Sequence, residues 1–224
     1  MGNMTLFLIL AGVPMAFGLL AQVSVKRTFA KYSEVRPGNG MTGAQAAAAV
    51  LRESGLPDLK INPIDGHLTD HYDPRSRTLN LSAAVGQESS VAAIGVAAHE
   101  AGHAIQDSAG YWPMKVRQTL VPAAMAGQSL WIAPVFIGLI LNMSGLVTIG
   151  LVFFAAVVLF QLVTLPVEFD ASFRALGALE HQGLLAADEM DGARAVLRAA
   201  ALTYVAGFVA ALGQLIYFFL ISRE

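Results

Sequence analysis

The chain has 224 residues, 55% of them hydrophobic and only 13% charged, with a formal net charge of −2. A soluble domain carries about 25% charged residues, so this composition excludes a disordered chain, a nucleic-acid-binding domain and an ordinary soluble enzyme surface. With no cysteine, disulfide scaffolds, thiolate zinc sites, iron–sulfur clusters and cysteine nucleophiles are excluded as well.

Taken in chain order, the first element is a charge-free apolar stretch at 4–25, long enough to cross a bilayer as a helix. A cleaved signal peptide is the alternative. Residues 1–3 carry no Lys or Arg, however, and Lys26, Arg27 and Lys31 follow the stretch, so it reads as a retained anchor with its amino terminus outside. A polar loop, 26–118, comes next. Within it Pro37-Gly38-Asn39-Gly40 marks a turn, and Thr42 is placed to cap an alanine-rich helix over 43–54. Residues 59–64 read as a strand, 70–75 as a polar turn, and 77–82 as a second strand with Leu79 and Leu81 on one face. The Ser89/Ser90 pair starts a helix over 90–108.

Three further charge-free apolar stretches follow, at 120–143, 145–165 and 199–221, separated by the uncharged turn 142–144 and a polar segment, 166–198. Of the 14 Lys and Arg residues, ten fall in 26–118 and three in 166–198, which makes both segments cytoplasmic by the positive-inside rule. The expected architecture is mainly α, with four transmembrane helices, a cytoplasmic module and a small β-sheet. Its divisions are transmembrane helix 1 (1–25), the first cytoplasmic segment (26–118), transmembrane helices 2 and 3 (119–165), the second cytoplasmic segment (166–198) and transmembrane helix 4 (199–224).

The helix over 90–108 contains His99-Glu100-Ala101-Gly102-His103. Residues four apart lie one turn apart on a helix face, so His99 and His103 can offer two imidazole nitrogens to one tetrahedral zinc. Glu100, beside them, is placed to take a proton from a zinc-bound water. The absent side chain of Gly102 lets another backbone or a substrate come close. A catalytic zinc needs a third protein ligand, for which the other histidines (His67, His71, His181) and the carboxylates compete. Glu168 stands out because it emerges directly from an apolar span, where a charge requires a partner. The two spans between His103 and Glu168 also return the chain to the same side of the membrane.

Asp70-His71-Tyr72-Asp73-Pro74-Arg75, Leu79-Asn80-Leu81-Ser82, His-Glu-Ala-Gly-His-Ala-Ile-Gln at 99–106, Leu-Pro-Val-Glu-Phe-Asp-Ala-Ser at 165–172 and Ala-Leu-Thr-Tyr-Val-Ala at 201–206 together resemble the YugP-like bacterial membrane zinc metallopeptidases. More distantly the chain is similar to the HtpX/Ste-type peptidases. The resemblance covers essentially the whole chain and implies a gluzincin with a zincin-like module: His99, His103 and Glu168 bind one Zn2+ per chain, and Glu100 is the general base. Relatives often place Asp four residues after the ligand glutamate. Here that position is Ser172, with Asp170 two residues on, and either can support the ligands. Candidates for stabilising the oxyanion are Tyr204, His181, Arg194, Arg198 and His71. By analogy with zincins, the strand at 77–82 is expected at the sheet edge, pairing with an extended substrate.

The expected function is thus a zinc-dependent endopeptidase of the bacterial inner membrane, acting at its cytoplasmic face. Its expected partners are the lipid bilayer and a polypeptide substrate that is itself membrane-associated, with no nucleic acid. The alternative is a membrane-anchored binding or assembly protein with a structural or vestigial metal site. The spans carry no mid-membrane ionisable groups of the kind a transporter needs. Physiological substrate and oligomeric state have no signature in the sequence.

Overall fold

A computed structural model describes residues 2–223. The protein is mainly helical, with one small sheet. In chain order the elements are α1 (Gly2–Phe7), a π-helical turn (Leu8–Gly12), α2 (Val13–Ser33), α3 (Gly43–Glu53), β1 (Lys60–Ile64), β2 (His71–Asp73), β3 (Thr78–Ser82), α4 (Ala83–Gly86), α5 (Val91–Ser108), α6 (Trp112–Leu130), α7 (Ile132–Ile140), α8 (Ser144–His181) and α9 (Ala187–Ile221). The chain forms two compact units: residues 1–22, 112–166 and 202–224 make the first, and 23–111 and 167–201 the second.

The first unit holds the apolar segments. Four helical stretches are long and apolar enough to cross a membrane: Met4–Ser33, Trp112–Ile140, Ser144–His181 and Ala187–Ile221. The expected span at 120–143 is not one straight helix, because α6 ends at Leu130 and α7 begins at Ile132. Trp131, at this break, is buried and stacks on Phe154 at 4.4 Å between ring centroids. Val135, Val157, Val158 and Phe218 complete that core. In a membrane, small residues substitute for hydrophobic driving force by letting backbones touch. Gly213 on α9 does this against the carbonyl of Leu10. Pro14 has no N–H to offer that carbonyl, and the π-helical turn lies just before it.

The second unit is built around α5. Ser90 caps the helix, its Oγ accepting from Ala93 N at 3.1 Å. Alanines at 92, 93, 97, 98, 101 and 104 keep its girth small, and all are buried. α3 packs against it and begins with a capping box, in which Thr42 and Gln45 each bond the other's backbone N–H. The sheet order is β1-β3-β2, with β1 parallel and β2 antiparallel to β3.

Two sequence expectations need correction here. The strand expected at the sheet edge, 77–82, is β3 and lies in the centre, paired on both sides, with Leu79 and Leu81 buried. Residues 70–75, read as a turn, contain the edge strand β2. The true turn follows it, where Asp73 accepts from Arg75 N and Ser76 Oγ and Arg77 takes a left-handed φ of 51°. His-Tyr-Asp has neither the apolar alternation nor the length that marks a strand.

Candidate metal centre

Two helices of the second unit supply the site. Residues 99–103 of α5 present both histidines one turn apart, and α8 brings Glu168 to them. The approach depends on small residues: a Cβ at Gly102 would stand 2.5 Å from the Ala171 carbonyl oxygen. Ala171 itself is fully buried. The close approach that Gly102 permits is therefore to the backbone of α8.

Glu168 Oε2 lies 3.2 Å from His99 Nε2 and 3.6 Å from His103 Nε2. The three candidate ligand atoms are all within 4.8 Å of one another. Zinc bonds of about 2.0–2.1 Å at tetrahedral angles place neighbouring ligand atoms roughly 3.3–3.4 Å apart, so the donor set fits the ion in chemistry and the two distances from Glu168 fit it in spacing. Glu168 and His103 are buried and His99 is 13% exposed at its side chain, which leaves access from one side. Among the described residues this is the one group of three or more such side chains spaced to hold a metal ion.

The surrounding hydrogen bonds fix which ring nitrogen faces the centre. Gln106 Nε2 donates to the Val167 carbonyl at 2.7 Å and to Asp170 Oδ2 at 2.8 Å. Its Oε1 must then accept, and it faces His103 Nδ1 at 3.0 Å. His103 therefore carries a proton on Nδ1, and Nε2 is the ring nitrogen that faces Glu168. Arg174 Nε holds Asp170 in place at 2.5 Å. Ser172 Oγ sits 3.1 Å from His99 Nδ1 and does the same for the first histidine. Both residues weighed as supports in the sequence are thus used: Ser172 directly, and Asp170 through Gln106. Gln106 itself escaped notice, although its position three residues after His103 on the helix was the available signal.

Glu100 Oε2 accepts from the Tyr72 backbone N–H at 3.1 Å, and Tyr72 Oη donates to Asp107 Oδ2 at 2.9 Å. The edge strand β2 is thereby fastened at two points two turns apart on α5. Burial pushes the Glu100 carboxyl above its ordinary range, against the opposing pull of both histidines. Burial also opposes charge on His103, but its bond to Glu168 and the nearby Glu100 outweigh that and raise its pKa. Burial and Asp107 together push the Tyr72 hydroxyl up to about 12.

The remaining candidates differ in partners and exposure. His181 is exposed and pairs with Glu53 at 2.6 Å, and Arg194 pairs with Asp191 at 2.9 Å. His71 is an exposed β2 residue bonded to Asn80 and the Thr69 carbonyl. His67 packs edge-on against Phe29. Arg198 is exposed on α9, and Tyr204 is half-buried on the part of α9 that belongs to the first unit.

Comparison with known proteins shows the family of the chain. Residues 7–223 match the family model described as "Putative neutral zinc metallopeptidase". The chain belongs to that family. It is also 40% identical, over 218 residues covering 96% of both chains, to "Putative membrane protease YugP" of Bacillus subtilis (strain 168). No solved structure matches it.

Proposed function

We propose that this protein is a zinc-dependent endopeptidase that cleaves polypeptides at the cytoplasmic face of the bacterial inner membrane. The observation that carries the reading is the convergence of His99, His103 and Glu168 within ligand distance of one another, with Glu100 adjacent in the chain. Family membership and the four apolar helices support it. Zinc held by these three side chains would supply Lewis acidity to the scissile carbonyl and lower the pKa of a water in its fourth position to about 7.

The chain's own groups carry the proton transfers. Tyr72 N–H holds Oε2 of Glu100, leaving Oε1 to take the proton of the attacking water. Burial, by raising the carboxyl's pKa, makes it the stronger base and equally the competent acid that returns the proton to the departing amine. Gln106 keeps His103 in the tautomer that ligates through Nε2, and Ser172, facing Nδ1 of His99, orients that ring with its Nε2 toward Glu168. On the free side of β2 the Tyr72 N–H is taken by Glu100, which leaves the Tyr72 carbonyl to accept from an extended substrate.

The test uses the purified protein in lipid nanodiscs with an unfolded model substrate. Zinc-loaded wild type should cleave it, a chelator should stop cleavage, and Glu100→Gln should lower cleavage at least about 10²-fold while zinc remains bound. Undiminished cleavage by Glu100→Gln would overturn the mechanism. A zinc-loaded wild type that cleaves nothing would favour an assembly protein with a structural metal.

A further inference from the structure

Gln106 is bonded at both its ends. Its carboxamide joins His103 Nδ1, the Val167 carbonyl and Asp170 Oδ2, and its backbone carbonyl accepts from Tyr111 N–H at 2.9 Å. That last bond belongs to the turn that ends α5, in which Gly110 takes a left-handed φ of 66° and donates to the Asp107 carbonyl at 3.1 Å. The turn carries the Tyr111 ring to Arg174, whose guanidinium carbon lies 5.6 Å from the ring centroid. Arg174 Nε in turn donates to Asp170 Oδ2, the same oxygen that Gln106 Nε2 uses. The contacts thus run in a closed circuit from Gln106 through Tyr111, Arg174 and Asp170 back to Gln106. All four residues lie in the second unit.

Asp170 is the loosest member of the circuit. Its side chain is 25% exposed, so water competes with Gln106 for the carboxylate. Arg174 opposes that competition by holding the shared oxygen, and the Tyr111 ring confines the guanidinium from its other side. Without Arg174 the carboxylate is free to turn outward, and Gln106 Nε2 keeps only the Val167 carbonyl. A hydrogen bond to a carboxylate polarises the amide, so losing it weakens the acceptor that Oε1 offers to His103. We infer that Arg174, backed by Tyr111, is a positioning residue for the proposed ligand His103, acting through Asp170 and Gln106. The inference rests on the zinc reading above and extends it from a buried imidazole to a partly exposed guanidinium. The alternative is an ion pair one turn apart on α8 that steadies the helix and does nothing else.

The full-length protein in lipid nanodiscs is titrated with zinc against a chelator, and with cobalt(II), whose visible absorption reports the ligand field. Arg174→Met keeps most of the stem and removes the charge. It should weaken zinc at least about fivefold and shift the cobalt bands, a share of the effect expected for a direct partner of a ligand. Arg174→Lys should recover most of the loss, because it restores a charge beside Asp170. In a Gln106→Leu background Arg174→Met should cost nothing further, since the route to His103 is already cut. Tyr111→Leu should weaken zinc in the same direction and carries the comparison if Arg174→Met does not fold. Unchanged zinc affinity in Arg174→Met, or its full loss repeated in the Gln106→Leu background, would overturn the inference while leaving the metal site standing. Zinc bound equally by wild type and His103→Ala would instead sink the ligand assignment, and the inference with it.

Discussion

Gly102 and Ala171 set the distance between the two helices that share the metal centre. The Ala171 carbonyl occupies the space a side chain at 102 would need, with 2.5 Å to an added Cβ. Gly102→Ala forces the backbones of α5 and α8 apart, an overpacking that costs about 1–3 kcal/mol. The same shift draws Glu168 away from both histidines. Loss of zinc should therefore accompany a lowered melting temperature, measured by metal content and thermal unfolding of one preparation. Full zinc occupancy in Gly102→Ala would contradict this account.

The three proposed ligands should differ from the proposed base in what their removal does. His99→Ala, His103→Ala and Glu168→Ala should each reduce bound zinc to a small fraction of the wild-type content. Glu100→Gln should leave it unchanged and lower turnover by roughly 10²–10⁴-fold, the usual worth of a general base. Elemental analysis beside a peptide-cleavage assay separates the two classes.

Gln106 is fully buried and joins His103, Val167 and Asp170. Gln106→Leu keeps nearly the same volume but leaves His103 Nδ1 and the Val167 carbonyl without their bonds. Partners of this kind are typically worth about 10–100-fold in metal affinity. A chelator competition should show a loss of that size, and an unaltered affinity would make Gln106 a packing residue only.

Zinc uptake should depend on pH with a definite sign. In the metal-free protein His103 holds its proton above the ordinary histidine pKa of 6.5. Zinc must displace that proton, so its apparent affinity falls as pH drops through and below His103's pKa. Between pH 8 and pH 6 a decline of about tenfold or more is expected in chelator titrations. For the metal-free fold the sign is reversed. The raised pKa adds stability below the unfolded value, and this fades as pH rises through the folded one.

Tyr72 ionises only at about pH 12. Its raised pKa favours the fold fully below the unfolded value of 10.0 and loses that contribution as pH climbs from there to about 12. Ultraviolet titration of phenolate should show one late step that is missing from Tyr72→Phe. A late step that survives the substitution would assign it to another tyrosine.

Much of this fold is legible in the sequence. The four apolar stretches, the Thr42 and Ser90 caps and the helix of His99 and His103 rest on local rules of length, capping and period. Glu168 was legible because a charge at the end of an apolar span demands a partner. What the sequence hid was set by tertiary contact. β2 is three residues of polar composition, recognisable only by the bonds it makes to β3 and Glu100. The place of Gln106 depends on α8 arriving 61 residues later with the Val167 carbonyl. The break at Trp131 lies between the Gln128-Ser129 pair and Pro134, but membrane helices tolerate Pro in their interior, so these residues do not single it out.

The distance in sequence between the two halves of the metal centre also orders events in time. His103 is synthesised 65 residues before Glu168, with the apolar helices α6, α7 and the first part of α8 between them. At about 5–20 residues per second that interval is several seconds. During it the nascent chain has two histidines and no third ligand. The three side chains can come together only after α8 has been made and packed against α5, so the chain carries its own delay between synthesis and any metal binding by the full set.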